Sequence, residues 1–283
     1  MSRIAYVDGV YRPHREAAVH VEDRGYQFAD GVYEVIAVRR GELLDERLHM
    51  QRLRRSLAEL RIEGAIADRP LGLVLREVVR RNGVVNGIVY LQITRGAAPR
   101  DHAFPKTARH VLVVTARRNR QPNPKLDEEG IAVITIPDIR WQRCDIKTIS
   151  LVANVLGKQQ AREAGAYEAW MVDAAGYITE GTSTNAWIVT GDNLVVTRAA
   201  DHAILNGVTR LTLIDIIRRE GYGFAERPFT VQEAKAAREA FLTSTTSDVL
   251  PVVSIDGAIV ANGVPGSLSR ALRAAYISHA EGI

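Results

Sequence analysis

The chain has 283 residues, 46% hydrophobic and 25% charged, with a formal net charge of +4. That balance belongs to a globular protein with room for two ordinary domains, and it excludes a disordered or fibrous chain. No apolar run reaches the roughly 18 residues that span a bilayer, and a single cysteine, Cys144, excludes an intramolecular disulfide.

In chain order, "RIAYVDGVYRP" predicts a hairpin across Asp8-Gly9. Its charged opening is unlike a secretory signal, so the expected compartment is the cytoplasm. "GVYEVIAVRRGELL" predicts a second strand pair turning at Arg40-Gly41. A helix is expected over about 46–62, with an apolar stripe at Met50, Leu53, Leu57 and Leu60 and a basic, solvated opposite face. Another helix follows over 70–82, then the β-branched strands "GIVYLQITRG" and "RHVLVVTARR". The polar, proline-bearing "NRQPNPK" predicts a linker at 119–125, dividing an N-terminal domain (1–118) from a larger C-terminal one (126–283).

Beyond the linker, "IAVITIP" predicts a strand, and "SLVANVLGKQQAREAG" a helix with Ser150 as N-cap and Gly165 as stop. "YEAWMVDAAGYITEG" and "TNAWIVTGDNLVVT" predict hairpins, and "TRLTLIDIIRREG" a helix ending at Gly221. "EAFLTSTTSDVLPVVSIDG" reads as strand, hydroxyl-rich turn and strand. Strands and helices mix without strict alternation, which predicts two α+β domains rather than a doubly wound sheet.

Several chemistries lack their motifs. There is no P-loop and no nucleophile elbow; the seven histidines show no metal-ligand spacing; "GYGFAE" follows a helix, not a strand. What stands out is lysine usage. Of 37 basic residues, 32 are arginine, and only Lys106, Lys125, Lys147, Lys158 and Lys235 are lysine. Arginine stays protonated in proteins, whereas a lysine amine can act as a nucleophile. Lys147 lies in mostly apolar surroundings ("CDIKTISLV"), read either as a Schiff-base lysine or as a snorkelling surface residue. Lys158 sits among polar helix residues and reads as surface charge.

Glu180 ends an apolar strand in "ITEGTSTN". It could cap a turn, or face a pyridine nitrogen and keep it protonated. "LNGVTR" (205–210) opens a helix whose free amides, with Thr209, could meet a phosphate, and "TSTTS" (243–247) offers consecutive hydroxyls at a turn. Together these meet the needs of pyridoxal phosphate: an amine for the aldehyde, an acid for the ring, donors for the phosphate. Arg100 and His102, two apart in "TRGAAPRDHAF", could form a carboxylate clamp or be incidental loop charges.

The order and spacing of "EDRGYQFADGVYEV", "TRGAAPRDHAFP", "DIRWQRCDIK", "TEGTSTN", "LNGVTR" and "FLTSTTS" resemble the D-amino acid aminotransferases of the class IV, pyridoxal-phosphate-dependent family, through nearly the whole chain. The resemblance implies an α+β, fold type IV homodimer. Each subunit would have a small N-terminal α/β domain and a larger, barrel-like C-terminal one, with the cofactor in the cleft between them. It implies that Lys147 forms the Schiff base and shuttles the Cα proton, and that Glu180 pairs with the pyridine nitrogen. Arg52, Val208, Thr209, Ser244, Thr245 and Thr246 would hold the phosphate end, and Leu205 would pack on the ring. Tyr33, Arg100 and His102 would trap the substrate carboxylate, the last two coming from the partner subunit. The hydroxyls of Thr182, Ser183 and Thr184 stand where the family often has serines. The implied reaction is ping-pong exchange of D-alanine and D-glutamate with pyruvate and 2-oxoglutarate, with no metal. Class IV L-branched-chain and (R)-amine aminotransferases share the lysine and glutamate and stay open as alternatives. A basic nucleic-acid-binding protein is a remote one, lacking any recognised module.

Overall fold

The computed structural model describes residues 3–107, 109–118 and 124–282. Residues 119–123, most of the expected linker, lie outside the described residues. Those described form two compact units, the first taking the residues up to 118 together with Ile146–Ser150, the second the remainder.

In the first unit the elements run β1 (Ile4–Val7), β2 (Val10–Pro13), α1 (Arg24–Phe28), β3 (Gly31–Arg39), β4 (Glu42–Leu43), α2 (Glu46–Glu59), α3 (Asp68–Arg81), β5 (Gly87–Thr94) and β6 (Val111–Arg118). The strands form one antiparallel sheet in the order β2-β1-β6-β5-β3-β4. Both expected two-residue turns are present. Asp8 and Gly9 have φ of 42° and 96°, and Arg40 and Gly41 have 52° and 86°. Positive φ at both central residues matches the right-handed twist of the flanking strands. Leu53 and Leu57 of α2 and Leu71, Leu75 and Val78 of α3 are buried in one core with Ile36, Val89, Leu91 and Val114 of the sheet. The helix expected over 46–62 stops at Glu59, because Arg61 turns left-handed (φ 53°) and Ile62 folds back to donate to the Leu57 carbonyl at 2.9 Å.

In the second unit follow α4 (Pro124–Glu128), β7 (Ile131–Pro137), α5 (Val152–Glu163), β8 (Glu168–Val172), β9 (Ile178–Gly181), β10 (Asn185–Val189), β11 (Val195–Thr197), α6 (Val208–Arg219), β12 (Phe224–Glu226), α7 (Val231–Lys235), β13 (Glu239–Ser244), β14 (Asp248–Ile255), β15 (Ala258–Ile259) and α8 (Ser267–Glu281). The sheet order is β12-β11-β10-β13-β14-β7-β8-β9, with β15 added to β14. β9 is the last strand of that order and β10 the third, yet a tight turn joins them, with Gly181 N–H donating to the Thr184 carbonyl at 2.7 Å. The sheet therefore curls into a half-barrel. The fold is α+β.

The expected Ser150 cap is not formed. α5 begins at Val152, and its N-cap is Leu151, without a side-chain bond. The reason is that 146–150 is held on β3 of the first unit. Thr148 bridges Val32 of β3, and its hydroxyl accepts from the Ser150 N–H at 3.2 Å, so the chain is committed until Leu151. The other end is as expected, with Gly165 at φ 70° just past the helix.

Helices α1, α4, α7 and α8 lie outside the elements expected from sequence. α8 has no cap from its own N-cap residue, Gly266. Buried Glu239 of β13 supplies it instead, accepting from Leu268 N–H at 3.0 Å and Ser269 N–H at 2.8 Å. A carboxylate at a helix N-terminus satisfies orphan amides and favours the dipole. A Cβ at position 266 would stand 1.9 Å from Glu239 Cδ. Gly266→Ala therefore displaces that carboxylate, and we expect a stability loss on the order of 2–3 kcal/mol. Chemical denaturation checks this; an unchanged midpoint would remove Glu239 as the cap.

Candidate active site

In the first unit, Lys147 is carried by the segment 146–150 held on β3. Tyr33 N–H donates to the Lys147 carbonyl at 3.0 Å, and the Lys147 N–H donates to Ser56 Oγ at 3.2 Å. The backbone is thus fixed from both sides. The half-buried side chain lays its Nζ 4.2 Å from the centre of the Tyr33 ring. Among the described residues no carboxylate pairs with that amine. Tyr33 in turn stacks on Tyr90, with ring centres 5.7 Å apart. The structure thus brings together two of the residues singled out in the sequence, Lys147 and Tyr33.

Arg52 is set apart from Arg54 and Arg55 of the same helix. Arg54 pairs with exposed Asp68 and Arg55 with Glu59, as surface charges do. Arg52 instead grips fully buried Glu34 with two bonds, Nε to Oε1 at 2.8 Å and Nη2 to Oε2 at 2.7 Å. His49, one turn earlier, meets Glu34 Oε2 through Nδ1 at 2.8 Å. A carboxylate only accepts, so Nδ1 carries the proton there. Burial alone would raise the Glu34 pKa, but the Arg52 charge and the bonds from Arg52 and His49 hold it down to about 2. Burial also pushes His49 below its ordinary value, against the pull of Glu34. Glu34 and His49 were not singled out in the sequence. Glu34 was signalled only by being a charge inside an apolar strand, "GVYEVIAV".

Arg100 and His102 lie on an exposed loop of the first unit. Both contact Phe28 of α1: the Arg100 guanidinium is 4.6 Å from its ring centre, and the His102 ring centre is 5.4 Å away. They are held together by that shared ring. No hydrogen bond or ring contact joins them to Tyr33 among the described residues.

In the second unit Glu180 is the hub. Its carboxylate accepts from Arg140 Nη1 at 2.5 Å, from Asn185 Nδ2 at 3.0 Å and from the Leu205 N–H at 3.2 Å. Arg140, 6% exposed in its side chain, also donates to Asp138 from Nε and Nη2 at 2.9 and 2.7 Å. Burial would lower the pKa of this guanidinium; the bond to Asp138 and the charges of Glu180 and Asp138 overcome that and raise it. Asn185 also bonds the Leu205 carbonyl at 2.9 Å, and it is paired across the sheet with Thr243, next to Ser244. Its amide oxygen occupies the space beside Gly207, where a Cβ would come within 2.2 Å. Gly207 is the N-cap of α6, with no side-chain bond to the amides that follow, and Val208 and Thr209 open that helix, both buried. Ser244, Thr245 and Thr246 form the tight turn between β13 and β14, where Ser244 Oγ accepts from the Thr246 and Ser247 N–H groups at 3.3 and 3.1 Å. One side chain, Asn185, therefore ties Glu180 and Leu205 to the α6 N-terminus and to the strand leading into the hydroxyl turn. Arg140, Asp138 and Asn185 were missed in the sequence, although the i, i+2 spacing of Asp138 and Arg140 beside a strand was a signal.

The hydroxyls of Thr182, Ser183 and Thr184, which stand where the family often has serines, all turn to fully buried Glu168, at 2.5, 3.2 and 3.4 Å. Lys158, expected as plain surface charge, lies 3.5 Å from the same carboxylate and donates to the Tyr167 carbonyl at 2.5 Å. A buried carboxylate needs donors, and these residues are the ones in reach. Cys144 is buried, its thiol donating to the Trp141 carbonyl at 3.1 Å; burial pushes its pKa up to about 11.

Comparison with known proteins sets these residues in a frame. The family model described as "Amino-transferase class IV" matches residues 31–255. The chain is 40% identical over 265 residues to a D-alanine aminotransferase of Bacillus licheniformis, covering 92% of this chain and 91% of that one. It is 38% identical over 277 residues to a D-alanine aminotransferase of Staphylococcus haemolyticus, covering 98% and 97%. The crystal structure of a branched-chain amino acid aminotransferase with pyridoxamine 5'-phosphate superposes with a TM-score of 0.90 at 26% identity, covering 100% of this chain and 95% of that one. That of the branched-chain aminotransferase from the archaeon Thermoproteus uzoniensis with norvaline gives 0.89 at 25% identity, covering 100% and 96%.

The Glu34 cluster makes acid stability testable. With its folded pKa depressed to about 2, Glu34 stabilises the fold above its ordinary value near 4.5 and loses that contribution as pH falls towards 2. His49, also depressed, acts in the same direction, stabilising above about pH 6.5 and ceasing to do so as pH falls. Glu34→Gln should cost about 3 kcal/mol at pH 7. The deficit should shrink steadily below about pH 4.5. Denaturant unfolding across pH checks both parts; a pH-independent deficit would contradict the paired-carboxylate account.

Proposed function

The chain belongs to the class IV amino-transferase family, and on that footing we propose that it exchanges amino groups between D-amino acids and 2-oxo acids with pyridoxal 5'-phosphate. D-Alanine and D-glutamate are the donors, and pyruvate and 2-oxoglutarate the acceptors, by a ping-pong course. One observation carries the chemistry. In a chain that makes 32 of its 37 basic residues arginine, the Lys147 amine is half-buried, seated on Tyr33 and without a carboxylate partner among the described residues. D-specificity is supported by the D-alanine aminotransferases that the chain resembles at 37–40% identity over most of its length.

The donor set fits this cofactor. It offers an amine, a carboxylate with fixed oxygens, a helix N-terminus left open by Gly207 and a turn of three hydroxyl residues. Pyridoxal phosphate supplies an aldehyde that captures amino groups and a ring that stores the electron pair left when a Cα proton departs. In our reading Lys147 would hold the aldehyde end through Nζ as the Schiff-base lysine, and the same amine would take the proton from Cα. Glu180 would hold the proton on the ring nitrogen. Arg140, Asn185 and the Leu205 N–H keep the Glu180 carboxylate oriented, so it needs no reorganisation when charge develops. Leu205 would pack on the ring. The amides and hydroxyl at Val208 and Thr209, with Ser244, Thr245 and Thr246, would hold the phosphate. Arg52, its charge shared with Glu34, serves the same end. Tyr33, Arg100 and His102 bind the substrate carboxylate.

We take the active assembly to be a homodimer in which Arg100 and His102 serve the partner's site. α5 supports this, since Val152, Val155 and Leu156 line one face and are 76%, 62% and 53% exposed. Such an i, i+3, i+4 stripe is what a second subunit would cover. Among the described residues no helix is long and apolar enough to cross a membrane. We place the enzyme in the cytoplasm, in keeping with its single cysteine.

The deciding experiment is a half-reaction. The pyridoxal-phosphate form is mixed separately with D-alanine, L-leucine and (R)-1-phenylethylamine, and loss of the cofactor absorbance band is followed. We expect rapid bleaching by D-alanine alone; bleaching by L-leucine or the amine with D-alanine inert would overturn the specificity. Lys147→Arg keeps the charge and should abolish bleaching altogether, so full turnover in that variant would refute the lysine assignment. Arg100→Ala should raise the KM for D-alanine by an amount equal to about 2–3 kcal/mol, the worth of a charge-assisted fork.

A further inference from the structure

Beneath the exposed loop that carries Arg100 and His102 lies a second arginine, which the reaction does not touch. Arg24, the first residue of α1, is 3% exposed. Its guanidinium holds the loop from below. Nη1 donates to the carbonyls of Asp101 and Ala103 at 2.6 and 3.3 Å, and Nη2 to that of His102 at 3.3 Å. Nε donates to Asp30 at 2.8 Å. Asp30 is also gripped by Arg95, at 2.7 and 3.0 Å, and Arg95 reaches the carbonyls of Leu60 and Arg61. One carboxylate thus serves two guanidinium groups beneath the loop.

The same arginine controls the side chains above it through Phe28. The Arg24 and Arg100 guanidinium groups lie 4.8 and 4.6 Å from the centre of the Phe28 ring, and the His102 ring tilts against it at 47°. The foundation is stiff. Asp23 accepts from the Gly25 N–H and the Thr94 hydroxyl, each at 2.8 Å, and Arg24 N–H donates to the Gly96 carbonyl at 2.9 Å. A Cβ on Gly25 would stand 2.2 Å from Thr94 Cγ2, so the start of α1 packs directly on β5. Burying a guanidinium is costly unless its donors are met. Here they are met by consecutive backbone carbonyls of the loop, which fixes the course of the main chain between Arg100 and Ala103.

We propose that Arg24, acting with Phe28, is the positioning residue of the substrate-carboxylate trap. It holds the 100–103 backbone and the Arg100 and His102 side chains in the arrangement that receives the α-carboxylate. This rests on the assignment of Arg100 and His102 to the trap. Because Arg24 touches neither substrate nor cofactor, it sets affinity and leaves the proton transfer at Cα alone.

The test uses the holoenzyme and the D-alanine half-reaction, with bleaching rate measured against D-alanine concentration. This separates an apparent dissociation constant from a limiting rate. Arg24→Lys keeps the charge and loses the fork; it should raise the dissociation constant ~10-fold and leave the limiting rate within about twofold, the pattern of lost uniform binding. Phe28→Leu, at a half-buried position and less exposed to folding failure, should raise it ~3-fold with the same limiting rate. Resting cofactor absorbance should be unchanged in both. A role in folding alone would lower the melting temperature and leave the dissociation constant at the wild-type value. That result in either folded variant, with Arg100→Ala weakening D-alanine as expected, would overturn the proposal and spare the trap. Unaltered D-alanine binding in Arg100→Ala would sink the trap assignment, and this proposal with it.

Discussion

A carboxylate taken out of water must be met by donors, and the organisation of this protein follows from where, among the described residues, it has buried four glutamates. Glu34, Glu168, Glu180 and Glu239 are all buried. Each is answered differently: Glu34 by a guanidinium and an imidazole, Glu168 by three hydroxyls and a lysine, Glu180 by a guanidinium and two amide groups, Glu239 by the open end of a helix. Each cluster fastens elements distant in sequence, so the cost of burial is offset by order. Glu180 differs in lying one residue before the end of β9, beside the turn where the sheet curls.

Much of this was legible in the sequence, and the reasons differ from residue to residue. The turns at Asp8-Gly9 and Arg40-Gly41 were readable because positive φ at two adjacent positions admits few residue types. Helices α2, α3, α5 and α6 carried long apolar periodicities. Lys147 stood out through arginine's dominance elsewhere, and Glu180 through its place at the end of an apolar strand. Residues that act by holding others were silent. Arg140 and Asn185 work through contacts 40 and 20 positions away, which no local pattern encodes. The Ser150 cap failed for a similar cause: a long-range bridge to β3 claimed the segment before the helix could. α7 did carry a capping box, Thr230 with Glu233, but five residues are too few for periodicity to announce.

Two arginines, Arg140 and Arg24, show why this chain favours arginine. A guanidinium offers five donors in a plane, so Arg140 can serve Asp138, Glu180 and the Ala203 carbonyl at once, and Arg24 can serve Asp30 and three loop carbonyls. A lysine could meet no such set. Reserving lysine for the few places where a fork is not wanted leaves the Lys147 amine chemically distinct from the charges around it.

The contact between Asn185 and Gly207 also constrains how this sequence can change over time. The asparagine amide fills the space that any side chain at 207 would need. It is simultaneously bonded to Glu180 and Leu205, so it cannot step aside without releasing both. Neither position can therefore drift alone. A lineage that replaced the glycine first would pass through a protein with a loosened carboxylate and a crowded helix start. One that replaced the asparagine first would lose the tie before gaining the freedom. The pair forms an evolutionary lock, opened only by a double change, and variation in this stretch should be confined to the residues on either side of it.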